Sequence, residues 1–146
     1  MLGAESNATG LPHVLRASMR ILLADDQAKV RFALRVLLER QPGVEVVGEA
    51  TDASVLADLM KEVCPDLVLL GWELPGEIRA DLIRHLHEIC PQAAIVALSS
   101  RLEARRTALE AGADGFLCKC DSPEYLLNLL AELQGGSLNL QASRTP

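Results

Sequence analysis

Short apolar runs alternate with helical patterns along most of this chain. The runs are Ile21–Ala24, Val44–Val47, Leu67–Leu70, Ala94–Leu98 and Gly115–Cys118. Near-continuous hydrophobicity of this kind is expected of parallel strands covered on both faces. Between them, Val30, Ala33, Leu34, Leu37 and Leu38 follow the i, i+3, i+4, i+7 spacing of a helix with one apolar face. Val55, Leu59 and Val63 form a stripe at spacing four, as do Leu82, Leu86 and Cys90, with Ile83 beside them. Arg105 to Ala111 belongs to a fourth helix, which Gly112 can end through its tolerance of positive φ. Ser122-Pro123 is a good N-cap and first-turn pair for a last helix with Leu126, Leu129, Leu130 and Leu133 inward.

About five strand–helix units predict an open α/β sheet, doubly wound, with right-handed crossovers and helices on both faces. The flavodoxin-like (βα)5 arrangement, strand order 2-1-3-4-5, is the natural candidate at this size. The organised pattern spans 19–134. Residues 1–18 and 135–146 read as flexible extensions, polar and broken by Gly and Pro.

Composition adds limits. Hydrophobic residues make up 49% of the 146 and charged residues 23%, an ordinary globular balance. The formal charge of −6 disfavours non-specific contact with nucleic acid or anionic membrane. No apolar run approaches the roughly 20 residues of a membrane span. No secretory signal is evident at the start, so a cytoplasmic location is expected. Cys64, Cys90, Cys118 and Cys120 form neither a CxxC nor a zinc spacing. Cys118 and Cys120 would share one face of a strand. They could be a redox or metal pair, but the plainer reading is small buried side chains in a reducing compartment.

Open α/β sheets place their sites beyond the carboxyl ends of the strands. The first run is followed there by Asp25-Asp26, the third by Gly71 with Glu73 two residues on, the fourth by Ser99-Ser100 and the fifth by Lys119. Two carboxylates, a hydroxyl and an ammonium are expected to converge. This constellation, over roughly Arg20 to Leu133, resembles the receiver domain of two-component response regulators. Val46-Val47-Gly48-Glu49-Ala50 and Gly112-Ala113-Asp114-Gly115-Phe116-Leu117 are most similar to the LuxR/NarL-type branch. The resemblance implies that Asp25 and Asp26 help hold Mg²⁺, that Ser99 and Lys119 attend a phosphoryl group, and that Phe116 is the aromatic that moves inward on activation. It also implies an aspartate at the end of strand three, where Gly71 stands.

Gly71 offers no attacking oxygen, so aspartyl phosphorylation at that position is not expected. With one carboxylate fewer, only weak Mg²⁺ binding is expected, at Asp25 and Asp26; Glu73 is the less favoured option as a substitute ligand, because of its longer stem. Lys119 is expected to turn to Asp25 or Asp26. Cys120 replaces the proline that usually follows the lysine, so a trans peptide is expected there.

Plain readings stand beside these. Asp25-Asp26 suits a helix N-terminus, Lys119 a solvated strand end and Ser99 a loop hydroxyl. Trp72 is expected to pack. His85 and His87 do not face each other on a helix. Arg101, Arg105 and Arg106 are solvated charge or a basic docking patch.

The leading functional reading is a pseudo-receiver, not an enzyme. It would bind a signalling partner or a second copy through the face of the fourth helix, fifth strand and fifth helix. The alternative is the receiver part of a LuxR-type transcription regulator. No helix-turn-helix follows Leu133, so direct nucleic-acid binding by this chain is not expected. A flavin- or nucleotide-binding protein on the same fold is the third reading. Asp25-Asp26-Gln27 would repel phosphate, and 3% aromatic content leaves little to stack a flavin.

Overall fold

The computed structural model describes residues 18–77 and 79–135. Five strands and five helices alternate: β1 (Met19–Ala24), α1 (Ala28–Glu39), β2 (Val44–Ala50), α2 (Ala53–Val63), β3 (Leu67–Gly71), α3 (Arg79–Ile89), β4 (Ala94–Ser99), α4 (Ala104–Glu110), β5 (Gly115–Cys118) and α5 (Pro123–Gln134). All strand pairs are parallel, in the order β2-β1-β3-β4-β5. This is the expected flavodoxin-like sheet. The proposed extensions at 1–18 and 135–146 fall, apart from Ser18 and Gly135, outside the described residues.

Period-two alternation divides the core into two layers. Leu22, Ala24, Val68, Leu70, Ile95 and Ala97 pack toward α2, α3 and α4. Ile21, Leu23, Leu67, Leu69, Val96 and Leu98 pack with Leu38 of α1 and Leu126, Leu129 and Leu130 of α5. The central strands are therefore apolar at every position because each face meets helices. Edge strand β2 is only half-buried along most of its length, and it runs to Ala50, three residues beyond its apolar run.

The inward face of α2 differs from the expected stripe. Ala53, Leu56 and Met60 are buried, Leu59 and Val63 are half-buried, and Val55 is exposed. The buried row, Leu56 and Met60, keeps the spacing of four but lies beside the row of Val55, Leu59 and Val63. Ala33 of α1 is likewise exposed. Asp52 caps α2 by accepting the Val55 N–H at 2.9 Å. Gly112 ends α4 with φ +110°, a conformation that favours glycine. Ser122 and Pro123 open α5 as expected, although the Ser122 side chain makes no capping bond. No described peptide bond is cis, including the one before Cys120.

The cysteines depart from the plain reading. Cys64 and Cys90 are joined as a disulfide between the ends of α2 and α3, and Cys118 is joined to Cys120. Cys90 and Cys118 are buried, but Cys64 and Cys120 are exposed. The strand face expected to carry both Cys118 and Cys120 does not form, because β5 ends at Cys118 and Cys120 lies in the exposed turn beyond it. Sequence spacing could not show a contact between residues 26 apart that depends on how two helices dock.

Candidate functional site

The site lies where β1, β3, β4 and β5 end. Asp25 follows β1, and its N–H donates to the Ala50 carbonyl of β2 at 3.0 Å, extending the sheet by one residue. That bond holds its side chain inside, at 1% exposure. Oδ1 accepts the Gln27 N–H at 2.9 Å. Oδ2 lies 2.7 Å from Lys119 Nζ and has no other partner among the described residues. Lys119 is positioned by its own N–H, which donates to the Ser99 carbonyl at 2.8 Å, and its ammonium also donates to Gln27 Oε1 at 3.2 Å. Asp26 is exposed.

Gly71 closes β3 beside this pair. A Cβ at Gly71 would lie 2.5 Å from Asp25 Oδ2, 3.0 Å from its Cγ and 3.2 Å from the Ala24 carbonyl oxygen. The Asp25 carboxylate thus fills the volume from which a side chain at 71 would start. Gly71 has no positive φ, so its backbone would accept another residue and only space opposes one.

The other expected groups form a second set. Ser99 is fully buried; its Oγ donates to Glu73 Oε2 at 2.9 Å and accepts the Arg101 N–H at 3.1 Å. Arg101 Nη2 approaches the same Glu73 oxygen at 3.4 Å. Instead of one crevice, the polar contacts sort these residues into Asp25–Lys119–Gln27 and Glu73–Ser99–Arg101. Phe116 is buried at 5% exposure and belongs to the core layer with α2, α3 and α4. Trp72 packs as expected, buried, with the Arg79 guanidinium 5.8 Å from its ring centroid. The Arg79 Nε–H donates to the Trp72 carbonyl.

These contacts bear on Mg²⁺. The ion needs several oxygen ligands in near-octahedral geometry. Asp25 is already paired with an ammonium, and Glu73 is turned to Ser99 and Arg101. Asp25, Asp26 and Glu73 do not gather at metal-holding distance; among the described residues the side chains that do are Cys118, Cys120 and Asp121, and there the two sulfurs are joined to each other. The residues present therefore do not fit a Mg²⁺ site in this arrangement.

A brace behind the site was not anticipated. Arg31 Nη1 donates to the Asp25 carbonyl at 2.8 Å and its Nε donates to Glu49 Oε1 at 2.9 Å. Arg35 Nε donates to Glu49 Oε2 at 2.6 Å. Burial acts to raise the Glu49 pKa, but the hydrogen bonds from Arg35 and Arg31 outweigh it and hold the carboxyl below its ordinary range. The Glu49 hydrogen bond in turn raises Arg35. Arg31 and Glu49 sit at half-buried positions of α1 and β2, and periodicity gives no hint that they meet. The histidines have separate partners: His85 lies 3.7 Å from Glu77, and His87 lies 3.0 Å from Asp114. Arg106 pairs with Glu110 one turn along α4.

Comparison with known proteins agrees with this architecture. The family model described as response regulator receiver domain matches residues 21–131. The nitrate/nitrite response regulator protein NarL of Escherichia coli strain K12 is 34% identical over 128 residues, covering 86% of this chain and 59% of that protein. This chain thus spans less than two thirds of that relative's length. A LuxR-family two-component response regulator from Aurantimonas sp. SI85-9A1 superposes with a TM-score of 0.73 at 34% identity, covering 82% of this chain and 86% of that one. RcsB of Salmonella enterica serovar Typhimurium, in a structure bound to promoter rprA, superposes with a TM-score of 0.70 at 25% identity, covering 83% and 63%. With the sheet order and these matches in agreement, the chain belongs to the response regulator receiver family.

Proposed function

We propose that this receiver domain works as a pseudo-receiver: a cytoplasmic, non-enzymatic signalling module that acts by protein–protein contact without aspartyl phosphorylation. One observation carries the reading. The space beside Gly71 is taken by the Asp25 carboxylate, and Lys119 is committed to that carboxylate at 2.7 Å. An acceptor oxygen is missing at 71, and the cation that would meet a phosphoryl group is already neutralised. The buried Phe116 supports a domain held in one state of a two-state switch, so that a partner selects the population. For the partner or a second copy we favour the face of α4, β5 and α5. The exposed Leu102 precedes α4, and the exposed Tyr125 lies on α5.

Beryllofluoride with Mg²⁺, a mimic of the phosphoryl group, tests this by amide NMR. Unchanged Asp25, Gly71 and Lys119 resonances are expected. Saturable shifts centred on these residues would overturn the reading.

A second reading is that the domain is the receiver part of a longer transcription regulator. It is favoured by the share of NarL that this chain matches, and by the promoter-bound RcsB neighbour. DNA reading would then rest with a separate domain, which a longer natural chain would reveal.

A further inference from the structure

The bond between Cys118 and Cys120 spans Lys119, the residue that holds Asp25. Cys118 ends β5 and is buried, while Cys120 is exposed on the loop before α5. The loop is tied down further. The Cys118 N–H donates to Asp121 Oδ2 at 3.2 Å, and the Lys119 N–H donates to the Ser99 carbonyl at 2.8 Å.

We propose that Cys118 and Cys120 form a reversible dithiol–disulfide site whose redox state sets the loop that presents Lys119. The bond closes a ring of only three residues, so it restrains little of the unfolded chain, and opening it costs the fold little. The Cys64–Cys90 bond joins residues 26 apart between two helix ends and carries more of the fold. Cys120 is the attacking thiol. It is exposed on the loop before α5, whereas Cys118 is buried at the end of β5, so a soluble disulfide reaches Cys120 first. The oxidant is a small-molecule disulfide of the glutathione class. The Cys120 thiolate attacks one of its sulfurs and forms a mixed disulfide, expelling one thiolate. Cys118 then gives up its proton and attacks the Cys120 sulfur, expelling the second thiolate. Two electrons pass to the oxidant, and its two released thiolates take up the two protons. Oxidised, the ring holds Lys119 toward Asp25; reduced, the loop keeps the Lys119–Ser99 backbone bond, the Asp121 contact and the Lys119 side-chain contacts to Asp25 and Gln27, but loses the covalent restraint.

The test is a titration of the full chain in glutathione buffers of graded ratio. Thiols are trapped with N-ethylmaleimide and located by peptide mass mapping, while circular dichroism follows the fold. Cys118 and Cys120 should be labelled together, both or neither, without loss of helical signal. Amide resonances of Asp25 and Lys119 should move with them in the parent and stay still in Cys120→Ser. Independent labelling of the two cysteines would overturn the proposal. So would opening only on unfolding, unmoved Asp25 and Lys119 amides, or capture of added Zn²⁺ by the reduced protein that blocks oxidation. The site stands apart from the phosphorylation reading: a phosphorylated parent would sink that reading and leave the thiol titration untouched.

Discussion

Replacing Gly71 by alanine should destabilise the domain, although the same change in a strand is usually favourable. Glycine within a strand costs about 0.5–1 kcal/mol relative to alanine. Here the new Cβ would lie 2.5 Å from Asp25 Oδ2, so the carboxylate must move. Shifting it from 2.7 Å to about 4 Å from the Lys119 ammonium weakens their attraction by about 2 kcal/mol at an effective dielectric of 20. The Ala24 carbonyl, 3.2 Å from the same Cβ, removes part of the ordinary gain. The balance is a net loss of about 1–2 kcal/mol, within the usual range for overpacking a core. The assay is urea unfolding followed by circular dichroism, with the disulfides intact, for Gly71→Ala in the parent and in an Asp25→Ala background. Without the Asp25 carboxylate, Gly71→Ala should be neutral within about 0.5 kcal/mol, giving a coupling of about 1–2 kcal/mol. Equal losses in both backgrounds, or a gain in the parent, would refute the claim that Asp25 fills the space beside Gly71.

Lys119→Met should cost about 2–4 kcal/mol in the same assay, because it leaves the buried Asp25 carboxylate without its cation; Asp25→Asn in the same chain should recover part of the loss. Glu49 has a depressed pKa, so its stabilisation is full above the ordinary glutamate value of 4.5 and is lost as pH falls through the lowered one. Glu49→Gln should therefore be less stable than the parent by about 1 kcal/mol at neutral pH, and denaturation curves should show the gap closing under acid. If the face of α4, β5 and α5 carries the partner contact, Leu102→Glu should weaken self-association or partner capture in sedimentation experiments. It should leave stability within about 0.5 kcal/mol, since Leu102 is 63% exposed.

Much of this molecule was legible because its strands are covered on both sides. Runs such as Leu67–Leu70 and Ala94–Leu98 have no polar face to confuse with a helix, and each is followed by a helical period. The helical face was harder to place. On α2 two adjacent apolar rows compete, and only docking decides that Leu56 and Met60 enter while Val55 stays out. Sheet order brought Asp25, Gly71, Ser99 and Lys119 to one edge, since every strand ends there. Which of them pair depends on side-chain reach. The Glu73–Ser99 bond and the Arg31–Glu49 brace join residues that are far apart in the chain and carry no mark of each other.

The claim that this receiver works without an aspartyl phosphate is tested most directly by intact-mass spectrometry after incubation with acetyl phosphate and Mg²⁺. The parent should show no hydroxylamine-labile phosphoryl adduct. A stoichiometric adduct on the parent, mapped to Asp25, Asp26 or any other carboxylate, would contradict it.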